Sequence, residues 1–255
     1  MIGYLAKRLG LALLVSLVCI VLLAVMVRLV PGDPVESVLG PRATPELSAL
    51  ARHEMGLDRP VPRQVYDFTA AAATGDLGRS FFNRQPVATA ISSALPHTIA
   101  LAIAGLALAV LIGVPLGVFS ATHPDSWLDR ATAMLSVTLI TMPSYVAGLV
   151  LLIVFSVELH AFPSIGAGDA GRPLTYVSHL VLPAIALALS WVGYLARIVR
   201  ASMTDVNASN YIRAAQAFGL PQRLVAYRLA LKNALIPAIA ILGVGLGNLL
   251  GGAVF

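Results

Sequence analysis

Five long apolar stretches constrain what this chain can fold into. They cover about residues 9–30, 98–121, 131–157, 180–199 and 235–255. Each is long enough to cross roughly 30 Å of hydrocarbon as a helix that rises about 1.5 Å per residue. Because the bilayer offers no partner to a free backbone amide, helices are the expected form. The sequence therefore predicts an all-α polytopic membrane protein with five transmembrane helices.

The composition points to the same class. Hydrophobic residues make up 58% of the 255 residues and charged residues only 11%, against roughly 25% charged in soluble proteins. This balance excludes an ordinary soluble globular protein. The first apolar stretch is too long for a signal peptide and lacks a small-residue cleavage site, so we expect a retained anchor. The single cysteine, Cys19, lies within it and excludes a disulfide framework.

The basic residues predict the orientation. Lys7 and Arg8 precede the first stretch, and the connection between the fourth and fifth stretches carries six bases against one acid, Asp205. The six bases are Arg197, Arg200, Arg213, Arg223, Arg228 and Lys232. With four spans between them, the two regions lie on the same side of the membrane. Their excess of Lys and Arg predicts that this side is cytoplasmic.

Two segments are then expected outside the cytoplasm. In residues 31–94, Thr44 is a candidate helix cap, followed by Pro45 and Glu46 in the first turn. A second short helix is expected over Pro62–Ala73, which makes this segment a small helical cap rather than a catalytic domain. Residues 158–178 are rich in glycine and proline, so we expect an irregular loop there.

No motif in the sequence supplies catalytic chemistry. The chain lacks a G-x-x-x-x-G-K-[ST] phosphate loop, a cysteine pair and a Gly-x-Ser-x-Gly turn. Its five histidines are scattered, so no metal site is expected. The predicted spans also lack acids and bases near their centres, which proton- and sodium-coupled carriers generally use. We therefore expect no enzyme and no cofactor, and the lack of these charges suits a transporter whose energy comes from elsewhere.

Small residues and prolines mark the predicted spans. Gly243, Gly247 and Gly251 recur every four residues and form a ridge on which another helix can pack closely. Gly113 and Gly117 repeat the pattern in the second span. Both ridges leave two interpretations open, packing within this chain or contact with a partner subunit. Pro115 and Pro143 are candidate kinks, which would either form a gate or shape the bundle.

The polar segment between the fourth and fifth spans predicts a short helix. Asn207 or Ser209 is the candidate cap, and Gly219 is expected to end the helix, with Pro221 beyond it. The residues expected to share one face, at three- and four-residue spacing, are Tyr211, Ala214, Ala215 and Phe218.

Two partners suit this helix. The small face at Ala214 and Ala215 would allow close docking in the groove of a protein partner. Alternatively, Arg213, Arg223 and Arg228 would hold a basic amphipathic helix on anionic lipid. The chemistry of the residues leaves both open.

The segment resembles the cytoplasmic loop of membrane subunits of binding-protein-dependent ABC importers, in the peptide and nickel branch. That family has Glu-Ala-Ala, three residues and Gly, where this chain has Arg213-Ala214-Ala215, three residues and Gly219. Arg213, Leu229 and Lys232 depart from the general consensus. Further stretches that resemble the branch are Pro31–Pro34, Gly56–Pro60, Gly75–Ser80, Leu95–Thr98, Pro143–Ser144 and Asn233–Pro237.

The resemblance implies a non-catalytic permease of a bacterial inner membrane. Its parts would be an anchor at 1–30, an extracytoplasmic segment at 31–94 and a permease core at 95–255, with the ATPase-coupling loop at 201–232. The implied coupling residues are Tyr211, Arg213, Ala214, Ala215, Phe218 and Gly219. Family members usually have six spans, so a truncation before the sixth is expected.

The implied partners are a second permease, two cytoplasmic ATPases and an external solute-binding protein, besides membrane lipid and without nucleic acid. A self-contained carrier or channel, and a membrane assembly protein, are the competing hypotheses. The substrate stays open between short peptides, nickel chelates, glutathione-like solutes and some sugars.

Overall fold

The computed structural model describes residues 2–29, 35, 40, 44–54, 56–80, 83–169 and 171–252. Over these residues the secondary structure is helical, and no named strand occurs among them. The chain forms two compact units, residues 1–94 and 95–255. The predicted all-α class is confirmed. The stretch Pro31–Pro34 and the last residues, 253–255, lie outside the described residues.

Helices occupy most of both units. We number them α1 (Ile2–Leu29), α2 (Pro45–Glu54), α3 (Val61–Ala73), α4 (Val87–Thr122), α5 (Trp127–Thr141), α6 (Ser144–Leu151), α7 (Pro173–Asn207) and α8 (Asn210–Ala217). A π-helix, Leu152–Glu158, continues α6. The last helix, α9, consists of a turn at Gln222–Leu224, a π-helix at Val225–Ala230 and an α-helix at Leu231–Gly252.

Four of the described helices are long and apolar enough to cross a membrane. They contain Gly3–Met26, Val87–Thr122, Pro173–Asn207 and Gln222–Leu249. Helices α5 and α6, the latter with its π-helical continuation, meet the same test only together, and their axes differ by 101°. We call them the bent pair. By length and composition the described residues thus contain four spans, or five if the bent pair counts as one.

The third predicted span, 131–157, is not one continuous helix, although it remains one span if the bent pair crosses the membrane once. Helix α5 ends at Thr141 and α6 begins at Ser144. Pro143 has no N–H to donate, and it disfavours the helical conformation of the residue before it. Met142 accordingly takes an extended conformation with ψ 118°. The kink expected at Pro143 is therefore a complete break.

The polar connections are shorter than the sequence predicts. Helix α7 already begins at Pro173, so the irregular outer loop ends at Arg172 rather than near residue 178. At its other end α7 runs on to Asn207, well past the expected span end at Val199. Its 35 residues correspond to about 52 Å of helix. Most of the 201–232 segment is consequently helical and continuous with a span.

In the first unit, α1 packs against α3. Arg28, near the end of α1, donates to the backbone carbonyls of Leu57 and Arg59. Thr44 caps α2, because its Oγ1 accepts from the amide of Leu47 at 3.3 Å. The two helices predicted for this segment are thus confirmed, the second beginning one residue before Pro62.

The core of the second unit lies along α7. A Cβ added to Gly113 would lie 2.9 Å from the carbonyl of Val192, and one added to Gly117 would lie 2.6 Å from that of Ala196. Such distances require glycine, so α4 and α7 touch nearly backbone to backbone. The ridge at Gly113 and Gly117 therefore packs within the chain. On another side of α7, Gly193 lies equally close to Ser136 of α5.

Candidate functional site

Helix α8 is joined to α7 by only two residues, Ala208 and Ser209. The amide of Ala208 still donates to Thr204, and that of Ser209 to Val206. Ser209 stands at the cap position of α8, but its hydroxyl donates backwards to Val206 at 2.5 Å. Neither expected side chain therefore caps α8. Its start is fixed instead by the tight turn that ends α7.

The end of α8 is a glycine turn of the predicted kind. Gly219 has φ +74°, a conformation that disfavours residues with a Cβ. Its amide donates to Gln216 at 2.9 Å, and the amide of Leu220 reaches back to Ala215 at 3.3 Å. This pair of bonds is the Schellman motif. Pro221 follows and opens α9, so α8 is held between two short turns.

The two faces of α8 differ sharply in burial. Ile212 is fully buried and Ala215 is 8% exposed, whereas Phe218 is 86% exposed. Tyr211 and Ala214 are also exposed. The expectation that Ala215 shares the exposed face with Tyr211 is wrong. Because Ala215 lies three residues after Ile212, it lies with it on the inward face.

Buried contacts hold α8 against its neighbours. Ile212 and Ala215 belong to the same buried cluster as Met203 of α7 and Val225 and Ala226 of α9. The outward side, formed by Tyr211, Ala214 and Phe218, is exposed, and Arg213 and Gly219 beside it are exposed as well. The site is therefore a small exposed surface on a firmly packed helix; we call it the α8 face.

The glycine ridge of α9 is also uncovered. A Cβ added to Gly243 or Gly247 would meet nothing within 4 Å. Gly251 continues the four-residue repeat in the same helix. Between these positions, Gly245 lies against the indole of Trp191 and packs α9 onto α7. The described part of the chain thus leaves the ridge open at Gly243 and Gly247.

An ion pair that sequence reasoning missed lies between α5 and α7. Nε and one Nη of Arg200 donate to the two carboxylate oxygens of Asp129 at 2.7 and 2.8 Å. Arg200 was counted only among the bases that set the orientation. The partners are 71 positions apart along the chain, so no local signal in the sequence links them.

A cavity of about 780 Å³ lies in the second unit. It is lined by parts of α4, α6, α7 and α9 and by the loop before α7. Tyr145, Gly148, His179 and Asn248 are among its lining residues, most of which are apolar, and none of which is an acid, Lys or Arg. Elsewhere, no group of three or more His, Cys, Asp or Glu side chains among the described residues is placed to hold a metal ion.

These features define a polytopic membrane protein with a short helix exposed between two spans. Two family models match it. The "Binding-protein-dependent transport system inner membrane component" matches residues 113–255, more than half of the chain. The corresponding amino-terminal model, "Binding-prot-dependent transport system membrane comp, N-term", matches residues 1–102.

The chain is also similar to the "Glutathione transport system permease protein GsiC" of several enteric bacteria. It is 36% identical to the protein of Escherichia coli O6:H1 and 35% identical to those of E. coli K12 and Salmonella typhi. Each match covers 100% of this chain and 81% of the relative.

The chain therefore belongs to the inner-membrane components of binding-protein-dependent transport systems. It is a permease subunit of an ABC importer of the peptide and nickel branch, located in the inner membrane. The family is one of transport permeases rather than enzymes, and its description implies a solute-binding protein and further transporter subunits. The family finding counts against a self-contained carrier and against an assembly protein.

Proposed function

We propose that this chain and a second permease subunit together form a path for a solute. Two cytoplasmic ATPase subunits would drive transport, one docking on the α8 face and the other on the equivalent helix of the second permease. The observation that carries the proposal is the α8 face itself. It exposes Tyr211, Ala214 and Phe218 while Ile212 and Ala215 anchor it to both flanking spans. A partner that moves α8 would therefore move α7 and α9 as well.

The distribution of bases supports a cytoplasmic α8 face. Lys7, Arg8 and the bases around α8 would lie on one side if the bent pair crosses the membrane once. The amino terminus is then cytoplasmic as well. Exposed Arg213, Arg223 and Arg228 would in addition contact anionic headgroups of the inner leaflet.

A second permease subunit is the proposed partner of the α9 ridge. Small residues allow helices to approach closely in a membrane, where packing drives association. Gly243 and Gly247 meet nothing within 4 Å in the described chain, so their smooth surface is free for another helix. Gly251 would extend the same contact. A solute-binding protein would deliver the solute from the opposite side of the membrane.

Short peptides or peptide-like solutes are the proposed substrates. The similar GsiC proteins are named for glutathione transport. In this chain the cavity between α6, α7 and α9 is the proposed part of the path. Its lining has no acid, Lys or Arg, and it carries hydroxyl, imidazole and amide groups at Tyr145, His179 and Asn248. Such groups can form hydrogen bonds with the amides of a peptide, and the lining has no charged side chain that would bind the charged ends of the peptide tightly.

Uptake by the reconstituted transporter tests the proposal. We expect labelled glutathione or a dipeptide to enter vesicles only when ATP, the ATPase subunits and the binding protein are all present. Gly219→Val should abolish uptake, because a β-branched residue is strained at φ +74°. Gly219→Asn is the matched control, since Asn tolerates this conformation. Uptake that needs no ATPase would overturn the proposal.

A further inference from the structure

The ion pair of Asp129 and Arg200 has a geometry that a surface contact rarely reaches. Both carboxylate oxygens accept, at 2.7 and 2.8 Å, from two different nitrogens of one guanidinium. This bidentate arrangement fixes direction as well as distance. The side chain of Asp129 is only 6% exposed, whereas that of Arg200 is 44% exposed.

Hydrogen bonds within the first turn of α5 and the turn before it position Asp129 for this contact. Its amide donates to Oγ of Ser126, the cap of α5, at 3.1 Å. Its Oδ2 also accepts from the amide of Asp125 at 3.2 Å. Asp125 has φ +62°, so the chain turns sharply to bring that amide to the carboxylate. The carboxylate is thus positioned by the start of α5, independently of Arg200.

The pair joins two elements that matter for transport. Arg200 lies in α7, seven residues before the helix ends at Asn207 and α8 follows. Asp129 lies in the first turn of α5, the first half of the bent pair. The ion pair therefore connects the end of α7, which leads into α8, to the first helix of the bent pair.

Helices α5 and α7 also contact each other about two helical turns away from the ion pair. Gly193 lies so close to Ser136 that an added Cβ would be 2.8 Å from its carbonyl oxygen. Gly193 precedes Arg200 by seven residues, and Ser136 follows Asp129 by seven. The two antiparallel helices thus contact each other at two points that are seven residues apart. One is the backbone contact of Gly193 with Ser136, and the other is the ion pair. Two such points resist sliding of α7 along α5.

We infer that Asp129 and Arg200 are positioning residues for transport, whose ion pair makes the bent pair follow α7 when an ATPase moves α8. This inference rests on the proposed function. Without the pair, the Gly193–Ser136 contact still holds the helices together, but the cytoplasmic end of α7 can shift without α5. ATP hydrolysis would then continue while solute movement is lost.

The test uses the complete transporter, with its ATPase subunits and binding protein, and measures solute taken up per ATP hydrolysed. In Asp129→Asn we expect this ratio to fall by about tenfold, within the usual range of coupling between sites. ATPase recovery and abundance in the membrane should stay near wild type. Asp169→Asn is the matched control, because that carboxylate is 67% exposed and lies 4.0 Å from Arg172. It should leave the ratio unchanged.

Arg200→Lys supplies a second variant that keeps the charge but loses the two-bond fork. We expect a smaller fall in the ratio than in Asp129→Asn. Combining Asp129→Asn with Arg200→Gln should lower the ratio by less than the product of the two single effects, since both remove one interaction. If Asp129→Asn does not accumulate, Arg200→Lys alone decides the question.

The outcomes separate the inference from the proposed function. A wild-type transporter without ATP-dependent uptake overturns both. ATP-dependent uptake with an unchanged ratio in Asp129→Asn and Arg200→Lys overturns the inference alone. A parallel fall of uptake, ATPase activity and abundance in Arg200→Lys also overturns it, because such a fall assigns the pair a purely structural role.

Discussion

Nδ2 of Asn233 donates a 2.8 Å hydrogen bond to the hydroxyl of Tyr211. Tyr211 is in α8, and Asn233 is the third residue of the long α-helical part of α9. The bond therefore links the outward side of α8 to the span that follows it. Together with buried Ile212 it makes α8 a part of the helical bundle rather than a loose loop.

Tyr211→Phe should loosen α8 without unfolding it. A single partly exposed hydrogen bond contributes about 0.5–1.5 kcal/mol net. We expect faster hydrogen exchange of the α8 amides, by up to about tenfold, since 1.4 kcal/mol corresponds to a factor of ten. Tyr227→Phe, at a tyrosine that is 60% exposed, is the control. Equal exchange in the two variants would show that the bond does not hold α8.

Gly117→Ala should destabilise the chain. The added Cβ would lie 2.6 Å from the carbonyl of Ala196 and 2.8 Å from Cβ of Val199, so α4 and α7 must separate. Overpacking of this kind costs about 1–3 kcal/mol. We expect a lower melting temperature of the detergent-solubilised protein.

The control for this change is Gly10→Ala in α1, where an added Cβ meets nothing within 4 Å. Ala is favoured over Gly inside a helix by roughly 0.5–1 kcal/mol. The two substitutions should therefore act in opposite directions. A Gly117→Ala protein as stable as wild type would contradict the close approach of α4 and α7.

The glycine ridges show what spacing can and cannot reveal. Gly113 with Gly117, and Gly243 with Gly247, have the same four-residue repeat, and both were predicted to be smooth helix faces. Only the structure distinguishes them, since the first ridge touches α7, whereas a Cβ added to Gly243 or Gly247 meets nothing within 4 Å among the described residues. Spacing specifies which residues share a face. It does not specify which helix the folded chain brings to that face.

Gly247→Leu should weaken pairing with a second permease while leaving this chain folded. The position is open in the described chain, so a larger side chain meets no internal obstacle. It would, however, hold another helix away from the ridge. We expect less of the second permease to be recovered in mild detergent, at an unchanged melting temperature of the isolated chain. Full recovery would exclude this ridge from the interface.

Gly148→Leu should impair transport by filling the cavity. Gly148 lines it, and an added Cβ would make only an ordinary contact, 3.7 Å from Cβ of Ala186. We therefore expect a folded protein with normal ATPase recovery and reduced uptake. Gly10→Leu, at a position that is not among the residues lining the cavity, should transport normally. Undiminished uptake by Gly148→Leu would exclude the cavity from the path.

Local signals predicted some features well and others not. Thr44 and Gly219 act through the few residues around them, and the structure confirms the cap and the turn they predicted. Pro143 was predicted to be a kink, and the structure has a complete break there, with the axes of α5 and α6 101° apart. Ala215 was assigned to the wrong face because its spacing fits both the exposed and the buried neighbours. Asp129 and Arg200 meet only in the folded chain.

Binding of an ATPase subunit to the α8 face can be tested by photocrosslinking. The most direct measurement places a photoreactive benzoylphenylalanine in place of Phe218, which is 86% exposed, in a transporter that takes up solute. Placing it instead of Tyr227, exposed but outside α8, is the control. We predict an adduct of this chain with the ATPase from position 218 and much less from 227. Lipid adducts alone at position 218 would show that the α8 face contacts the bilayer and not an ATPase subunit.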